Sequence, residues 1–169
     1  MKKTILLICL IMFLVLIADA KNPEATGSNS SAVPQEYLKA INTKSTVTWH
    51  LLDALSEDDV LFCGLAEDLA SVQDTDVERI TSIVESLNDP VSFAVMNVAK
   101  ESMFLADVAV QFAKDKDTTV VFYSFYCDLI RFYKDGKYFE LDGENVRAVI
   151  LSGAKANFPN DKFLRRIQK

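Results

Sequence analysis

Seventeen residues, VVFYSFYCDLIRFYKDG from 120 to 136, hold six aromatic side chains around one cysteine. A strand buried on one face would alternate polar and apolar residues. The polar residues here instead follow one another at intervals of four, three and four, as Ser124, Asp128, Arg131 and Asp135. That spacing places them along one face of a helix, with most of the aromatic side chains turned towards the core.

The ends of this run also fit a helix. Asp117 or Thr118 can cap its start, and Gly136 can adopt the left-handed conformation that ends many helices. The competing interpretation is a short hairpin near residues 130–141, because the Asp-Gly pair between IRFY and YFEL is typical of a tight turn. The polar spacing favours the helix.

Most of the chain after Pro34 has apolar residues at helical spacing. Caps and prolines divide it into predicted helices at about 34–55, 56–72, 75–87, 90–114, 118–136 and 144–155. A short basic turn in FPNDKFLRRIQK follows them. The predicted fold class is mainly α, a small bundle of five or six helices that forms a single domain over residues 34–169.

The amino terminus has the features of a signal peptide. The basic start MKK precedes a run of 14 apolar residues from 5 to 18, and Ala-Asp-Ala at 18–20 offers a cleavage site. The apolar run is short for a helix that must cross a bilayer. We therefore expect residues 1–20 to be removed on export to a bacterial periplasm or the extracellular space. Residues 21–33 are rich in Ser, Asn, Pro and Gly and are expected to form a flexible leader.

Two cysteines follow the predicted cleavage site, Cys63 and Cys127. In an oxidising compartment two such thiols are expected to pair. A disulfide between them would stabilise the fold by about 4 kcal/mol and would join an early helix to a late one. It would also leave neither residue as a thiolate nucleophile.

The charge of the chain disfavours two classes of partner. The net charge is −6, and it becomes −7 when Lys2, Lys3 and Asp19 are removed with the signal peptide. Nucleic-acid phosphates and anionic lipids both attract clustered Lys and Arg. We therefore expect no nucleic-acid partner and no stable membrane anchor after cleavage.

The sequence offers no catalytic constellation. His50 is the only histidine, so a site with several histidine ligands is excluded. No nucleophile-elbow, zincin, Walker or dinucleotide motif occurs. His50 and Asp53 could orient a general base, but no nucleophile accompanies them. The prediction is a protein that is not an enzyme, with no catalytic residue, cofactor or metal.

Two functions therefore remain open, with an unrecognised hydrolase as a third. The leading one is an exported, non-catalytic protein that binds a protein partner, of the inhibitor, immunity or accessory type. Its predicted binding residues are Phe93, Met96 and Phe104, because apolar side chains there share a helical stripe with charged ones. The alternative is a carrier of an apolar small molecule in a cavity between helices, lined by Phe122, Phe125, Tyr126 and Tyr133.

Overall fold

The computed structural model describes residues 33–55, 61–93 and 103–168. Within these ranges six strands form one antiparallel sheet, in the spatial order β2-β1-β3-β4-β5-β6. The strands are β1 (Thr46–Asp53), β2 (Glu67–Asp74), β3 (Val108–Lys114), β4 (Asp117–Ser124), β5 (Leu129–Lys134) and β6 (Lys137–Asp142). β2 and β6 are therefore the two edges of the sheet.

Four helices accompany the sheet in the described ranges. They are α1 (Gln35–Leu38), α2 (Val77–Asn88), α3 (Arg147–Asn157) and α4 (Lys162–Arg166), with short 3-10 turns at Pro90–Ser92 and Glu144–Val146. The predicted helices at 75–87 and 144–155 and the short terminal turn are confirmed as α2, α3 and α4. Asp76 caps α2 by accepting a hydrogen bond from the Arg79 N–H at 3.0 Å.

The predicted mainly α bundle of five or six helices over residues 34–169 is wrong. β1 lies within the predicted helix 34–55, β2 replaces the end of 56–72, and β3 replaces the end of 90–114. The predicted helix 118–136 is a pair of strands, β4 and β5. The hairpin near 130–141, the competing interpretation, is the structure observed: β5 pairs with β6 across Asp135 and Gly136.

The helix predicted for the aromatic run was wrong because two of the polar residues that suggested it lie in turns. Asp128 and Asp135 adopt left-handed backbone conformations, with φ of 53° and 50°, in the turns that follow β4 and β5. β4 does not alternate, because its residues from Thr119 to Ser124 are all buried. A strand with both faces covered has no polar face to produce a period of two.

The two faces of the sheet are covered differently. Helices α2 and α3 pack on one face, here called the helix face, where Trp49, Phe112, Phe132 and Ile150 belong to one large core cluster. The opposite face carries a smaller cluster, built mainly from Leu52, Ala66, Ala106, Ala109, Val120 and Phe122. Segments 61–66 and 103–107 cover the centre of that opposite face.

The predicted disulfide is absent, because Cys63 and Cys127 are both unpaired, half-buried thiols. Cys63 lies in the segment before β2 and packs against the smaller cluster. Cys127 lies in the turn between β4 and β5. The prediction placed Cys63 on an early helix and Cys127 on a late one, whereas the strand topology puts them in separate loops.

Among the described residues, none of the helices has both the length and the apolar character required to span a membrane. The predicted signal peptide, 1–20, and the leader as far as residue 32 lie outside the described ranges.

Candidate binding site

The edge strand β2 is the most exposed strand of the sheet. None of its residues from 67 to 73 is buried, whereas the opposite edge, β6, buries Phe139 and Leu141. β2 contains no Lys, Arg or Pro, which are among the residues with which natural edge strands resist pairing, and its charged residues lie at its two ends. β2 therefore offers an edge to which a further strand could be added.

The direction of the β1 backbone can be read from one hydrogen bond. The Leu52 N–H donates to the Asp107 carbonyl oxygen at 3.0 Å, towards the β3 side of β1. Peptide groups of successive residues in a strand point to opposite sides. The peptide groups of Trp49 and Leu51 therefore point to the other side, towards β2.

This direction fixes which β2 residues face outward. Trp49 and Leu51 have Val72 and Ala70 as their register partners, so Val72 and Ala70 are bonded to β1. The peptide groups of Ser71 and Gln73 alternate with these and point away from the sheet. They are the backbone donors and acceptors that an added strand would meet.

A β-bulge lies in the first half of the β1–β2 pairing. Leu51 pairs with Ala70 and Leu52 pairs with Asp68, which leaves Leu69 without an opposite residue. Bulges bend an edge and interrupt pairing. The regular part of the edge is therefore the second half of β2, from Ala70 onward.

Large apolar side chains are exposed along this edge. Leu69 is 53% exposed and Val72 is 37% exposed. Val77, just beyond the strand, and Leu55, just beyond the paired end of β1, are 73% and 71% exposed. Of the eight exposed large apolar residues in the described ranges, two therefore lie on β2 and two lie just beyond the ends of β1 and β2.

The far end of β2 is fixed by a buried carboxylate. Asp74 accepts two hydrogen bonds from the Arg79 guanidinium, at 2.6 and 2.7 Å, and one from the Trp49 indole N–H at 3.0 Å. It also accepts from the Asp76 backbone N–H at 2.9 Å and from the Asn157 amide at 3.3 Å. These bonds tie β2 to β1, to the start of α2 and to the end of α3.

The same contacts set the ionisation of the pair. Burial by itself would raise the pKa of Asp74, but the hydrogen bonds from Arg79, Asp76, Asn157 and Trp49 outweigh it and lower that pKa to about 2. Its hydrogen bond to Asp74 in turn raises the pKa of Arg79. The edge is therefore held by a permanently charged pair at neutral pH.

The His50 side chain makes its contacts on the face of the sheet opposite the helices. Its Nδ1–H donates to Asp68 Oδ2 at 2.8 Å, and its Nε2 lies 3.3 Å from Gln111 Oε1. The ring stacks on Phe62 with centroids 4.3 Å apart, and only 5% of the residue is exposed. The partner of His50 is thus Asp68 on β2 rather than Asp53. The ring of His50 on β1 therefore contacts Asp68 of β2 and Gln111 of β3.

The thiol nearest to this histidine in sequence is not activated. Burial raises the pKa of Cys63 to about 11. Thiolate nucleophiles need a lowered pKa from a neighbouring cation or helix end. Cys63 is therefore a protonated, partly buried side chain at neutral pH. Among the described residues, no three His, Cys, Asp or Glu side chains are grouped so as to hold a metal ion.

The predicted patch of Phe93, Met96 and Phe104 is not brought together on one surface. Phe93 is 3% exposed and packs edge-on against Phe132 in the helix-face core, with centroids 5.7 Å apart. Phe104 packs on the smaller cluster, and the Arg131 guanidinium lies 3.9 Å above its ring. Met96 lies outside the described residues.

The four residues of the predicted ligand cavity are also separated. Phe122 and Tyr133 meet edge-on at 6.2 Å on the face opposite the helices. Phe125 packs against Tyr123 at 4.9 Å in the helix-face core, and Tyr126 is 78% exposed. The sheet lies between the two groups, so the four residues do not line a common cavity.

A groove of about 460 Å³ lies between α2 and α3. Small side chains such as Ser82, Ala148 and Ser152 form its walls, and Asp76 and Arg79 lie at its rim. The guanidinium of Arg79 is already committed to Asp74 and Asp76. Glu78 also lines this groove and is exposed, so the groove carries negative charge of its own.

Sequence reasoning missed the β2 edge. It assigned Leu69 and Val72 to the buried stripe of a helix, because with Leu61 and Leu65 they are spaced at four, four and three. The segment EDLASVQD contains one β-branched residue and no alternation. No local pattern could have identified it as a strand, since its pairing with β1 fixes its conformation.

Comparison of the chain with protein-family models, with curated proteins and with solved structures gave no significant match.

Proposed function

We propose that this protein is an exported, non-catalytic binding protein that takes a protein partner at the β2 edge. The partner would add a strand beside β2 and extend the six-stranded sheet to seven. Main-chain hydrogen bonds supply affinity in this mode of recognition, and alternate side chains supply specificity.

The observation that carries the proposal is the open edge itself. Residues 68–73 are all exposed, the peptide groups of Ser71 and Gln73 point outward, and Leu69 and Val72 add apolar surface. The Asp74–Arg79 pair holds the end of the strand in place. A preformed, rigid edge needs little ordering when a partner binds, which favours affinity.

The environment of the reactive side chains supports a non-catalytic role. His50 is buried and hydrogen-bonded to Asp68, and the raised pKa of Cys63 keeps it as a thiol. Export is supported by the signal-peptide features of residues 1–20.

The proposal is tested by capture of partners from the compartment in which the protein occurs. Wild type, Ser71→Pro and Val72→Lys are compared with Val91→Lys, an exposed valine at the turn after α2. Proline at position 71 removes an outward N–H without removing a bond to β1. We expect wild type and Val91→Lys to retain the same partner and both edge variants to lose at least tenfold in yield.

Circular dichroism and thermal unfolding check that each variant is folded. Ala70→Pro serves as the contrasting change, because its N–H bonds to β1 and its loss should destabilise the sheet. Equal capture by wild type, Ser71→Pro and Val72→Lys would refute binding at this edge, as would the absence of any partner captured by wild type.

A further inference from the structure

The charges around β2 define the chemistry of the strand that would pair with it. On the basis of the proposed function, we propose that the occupant is an extended segment of a different protein, with an apolar or β-branched centre and Lys or Arg at both ends.

The first end of the β2 edge is acidic. Glu67 begins the strand and lies opposite Asp53 of β1 in the register. The next residue, Asp68, is committed to His50. Glu67 and Asp53 are each only partly buried, and β1 and β2 contain no Lys or Arg. A cation on an added strand would relieve this concentration of negative charge.

The second end is acidic as well. Asp76 and Glu78 follow the strand and are exposed. Arg79 is the basic residue in this turn, and it is shared between Asp74 and Asp76. The charge of Arg79 is therefore neutralised within the protein, and Glu78 remains exposed in the first turn of α2, where it lines the groove between α2 and α3.

The distance between the ends makes two cations necessary. Eight residues of strand span roughly 25 Å, whereas charges in physiological salt are screened over about 8 Å. A positive charge at one end therefore does not interact significantly with the acidic residues at the other end. Between the ends, Leu69 to Gln73 carry no charge, and the exposed Leu69 and Val72 favour apolar partners.

A second copy of this chain fits the edge poorly. Two β2 strands paired about a two-fold axis run antiparallel, so the start of each meets the end of the other. Glu67 of one chain would approach the region of Asp74 and Asp76 in the other, at both ends of the pairing. Like charges placed opposite each other destabilise strand pairs. The charge pattern therefore favours a different protein with basic ends.

A selection experiment tests this inference directly. A phage-displayed library of random linear decapeptides is selected on immobilised full-length protein at about 0.15 M salt, with removal of phage that bind Ser71→Pro. We expect recovered peptides to be enriched in Lys or Arg towards both ends and in Val, Ile, Thr or aromatic residues in the middle. Their synthetic versions should bind in solution and lose at least tenfold in affinity on Ser71→Pro and on Val72→Lys.

Two variants with the same change in net charge test the electrostatic contribution to peptide binding. Glu67→Lys should raise the Kd of a recovered peptide by about threefold, the size typical of an exposed ion pair lost. Glu85→Lys makes the same change in net charge on the exposed side of α2 and should leave the Kd unchanged.

The remaining outcomes overturn the inference in distinguishable ways. Peptides that depend on Ser71 but lack basic ends, or that ignore Glu67→Lys, would refute the basic occupant and keep the edge as the binding site. Failure to recover any peptide that depends on Ser71 would refute the inference, while partner capture still tests the edge. A wild-type dimer that Ser71→Pro converts to monomer would identify a second copy as the occupant.

Discussion

Asp74 and Asp107 have different partners, and their contributions to the free energy of unfolding change in opposite directions with pH. Asp74 accepts hydrogen bonds from Arg79, Trp49 and Asn157, so its charged form is favoured in the folded protein. Asp107 is half-buried, and its carboxylate accepts a hydrogen bond from the Phe125 N–H at 2.6 Å. The number of charge-compensating partners, and not burial alone, decides the direction of each pKa shift.

We predict that Asp74→Asn lowers the free energy of unfolding at pH 7 by about 2 kcal/mol. The folded pKa of Asp74, about 2, lies below the ordinary value of 3.8, so its stabilisation is complete above pH 4. It is lost as the pH falls from about 4 to about 2. Urea unfolding of both proteins across this range should show the difference shrinking at low pH.

Asp107 should show the opposite trend. Burial is the main cause that raises its pKa to about 6, against the lowering effects of the Phe125 N–H and the Arg147 charge. The unfolded carboxyl ionises near pH 3.8 and the folded one near pH 6, so its contribution to stability falls as the pH rises from about 4 to about 6.

The test of this prediction is the same titration of stability with Asp107→Asn, which keeps an oxygen acceptor for the Phe125 N–H. Relative to wild type, the variant should gain stability as the pH rises from 4 to 6, and the difference should stay constant above that. A difference that does not vary with pH would contradict the raised pKa of Asp107.

At the scale of elements, helix α3 packs closely against the sheet at one glycine. A Cβ atom at Gly153 would overlap Cζ2 and Cη2 of Trp49, a fully buried ring. Neither the ring nor the helix can move freely, because the Trp49 indole also donates to Asp74. The close approach of α3 to β1 therefore depends on the missing side chain.

We predict that Gly153→Ala lowers the free energy of unfolding by about 1 to 3 kcal/mol, the range typical of overpacked cores. Ser152→Ala, exposed on the same helix, should change it by less than about 0.5 kcal/mol. Chemical denaturation of both variants gives the comparison. A Gly153→Ala protein as stable as wild type would mean that α3 can shift on the sheet at little cost.

At the same scale, the sequence pattern predicted the secondary structure correctly where a segment has one solvent-exposed face. In α2, Ile80, Val84 and Leu87 are buried at the expected helical spacing, together with Ile83, whereas Val77 at the start of that spacing is 73% exposed. β4 gave no such pattern, since neighbours cover both of its faces. In the aromatic run, Asp128 and Asp135 occupy turn positions with left-handed backbone conformations, which aspartate tolerates. Their spacing matched a helical face by coincidence.

At the scale of the whole molecule, the two half-buried thiols imply that no covalent link joins the loops. Cys63 and Cys127 are unpaired, so the antiparallel sheet and its two cores hold the fold together. The high pKa of Cys63 also keeps the population of its reactive thiolate small at neutral pH.

We predict that the melting temperature is the same with and without a reducing agent. A disulfide closing this loop would contribute about 4 kcal/mol, and its reduction would lower the melting temperature by many degrees. Mass spectrometry after alkylation of the denatured, unreduced protein should find both cysteines modified. A fall in melting temperature on reduction, with neither thiol alkylated beforehand, would reinstate the disulfide.

The sequence by itself determined the local features: the acidic charge, the presence of the helices α2 and α3, and the Asp135-Gly136 turn as a hairpin candidate. Each depends on residues within a few positions of one another. The tertiary structure alone decided that residues 118–136 are strands, that Asp68 is the partner of His50, and that β2 is an open edge. These depend on pairing between distant segments, where hydrogen bonds to a neighbouring strand override weak local preferences.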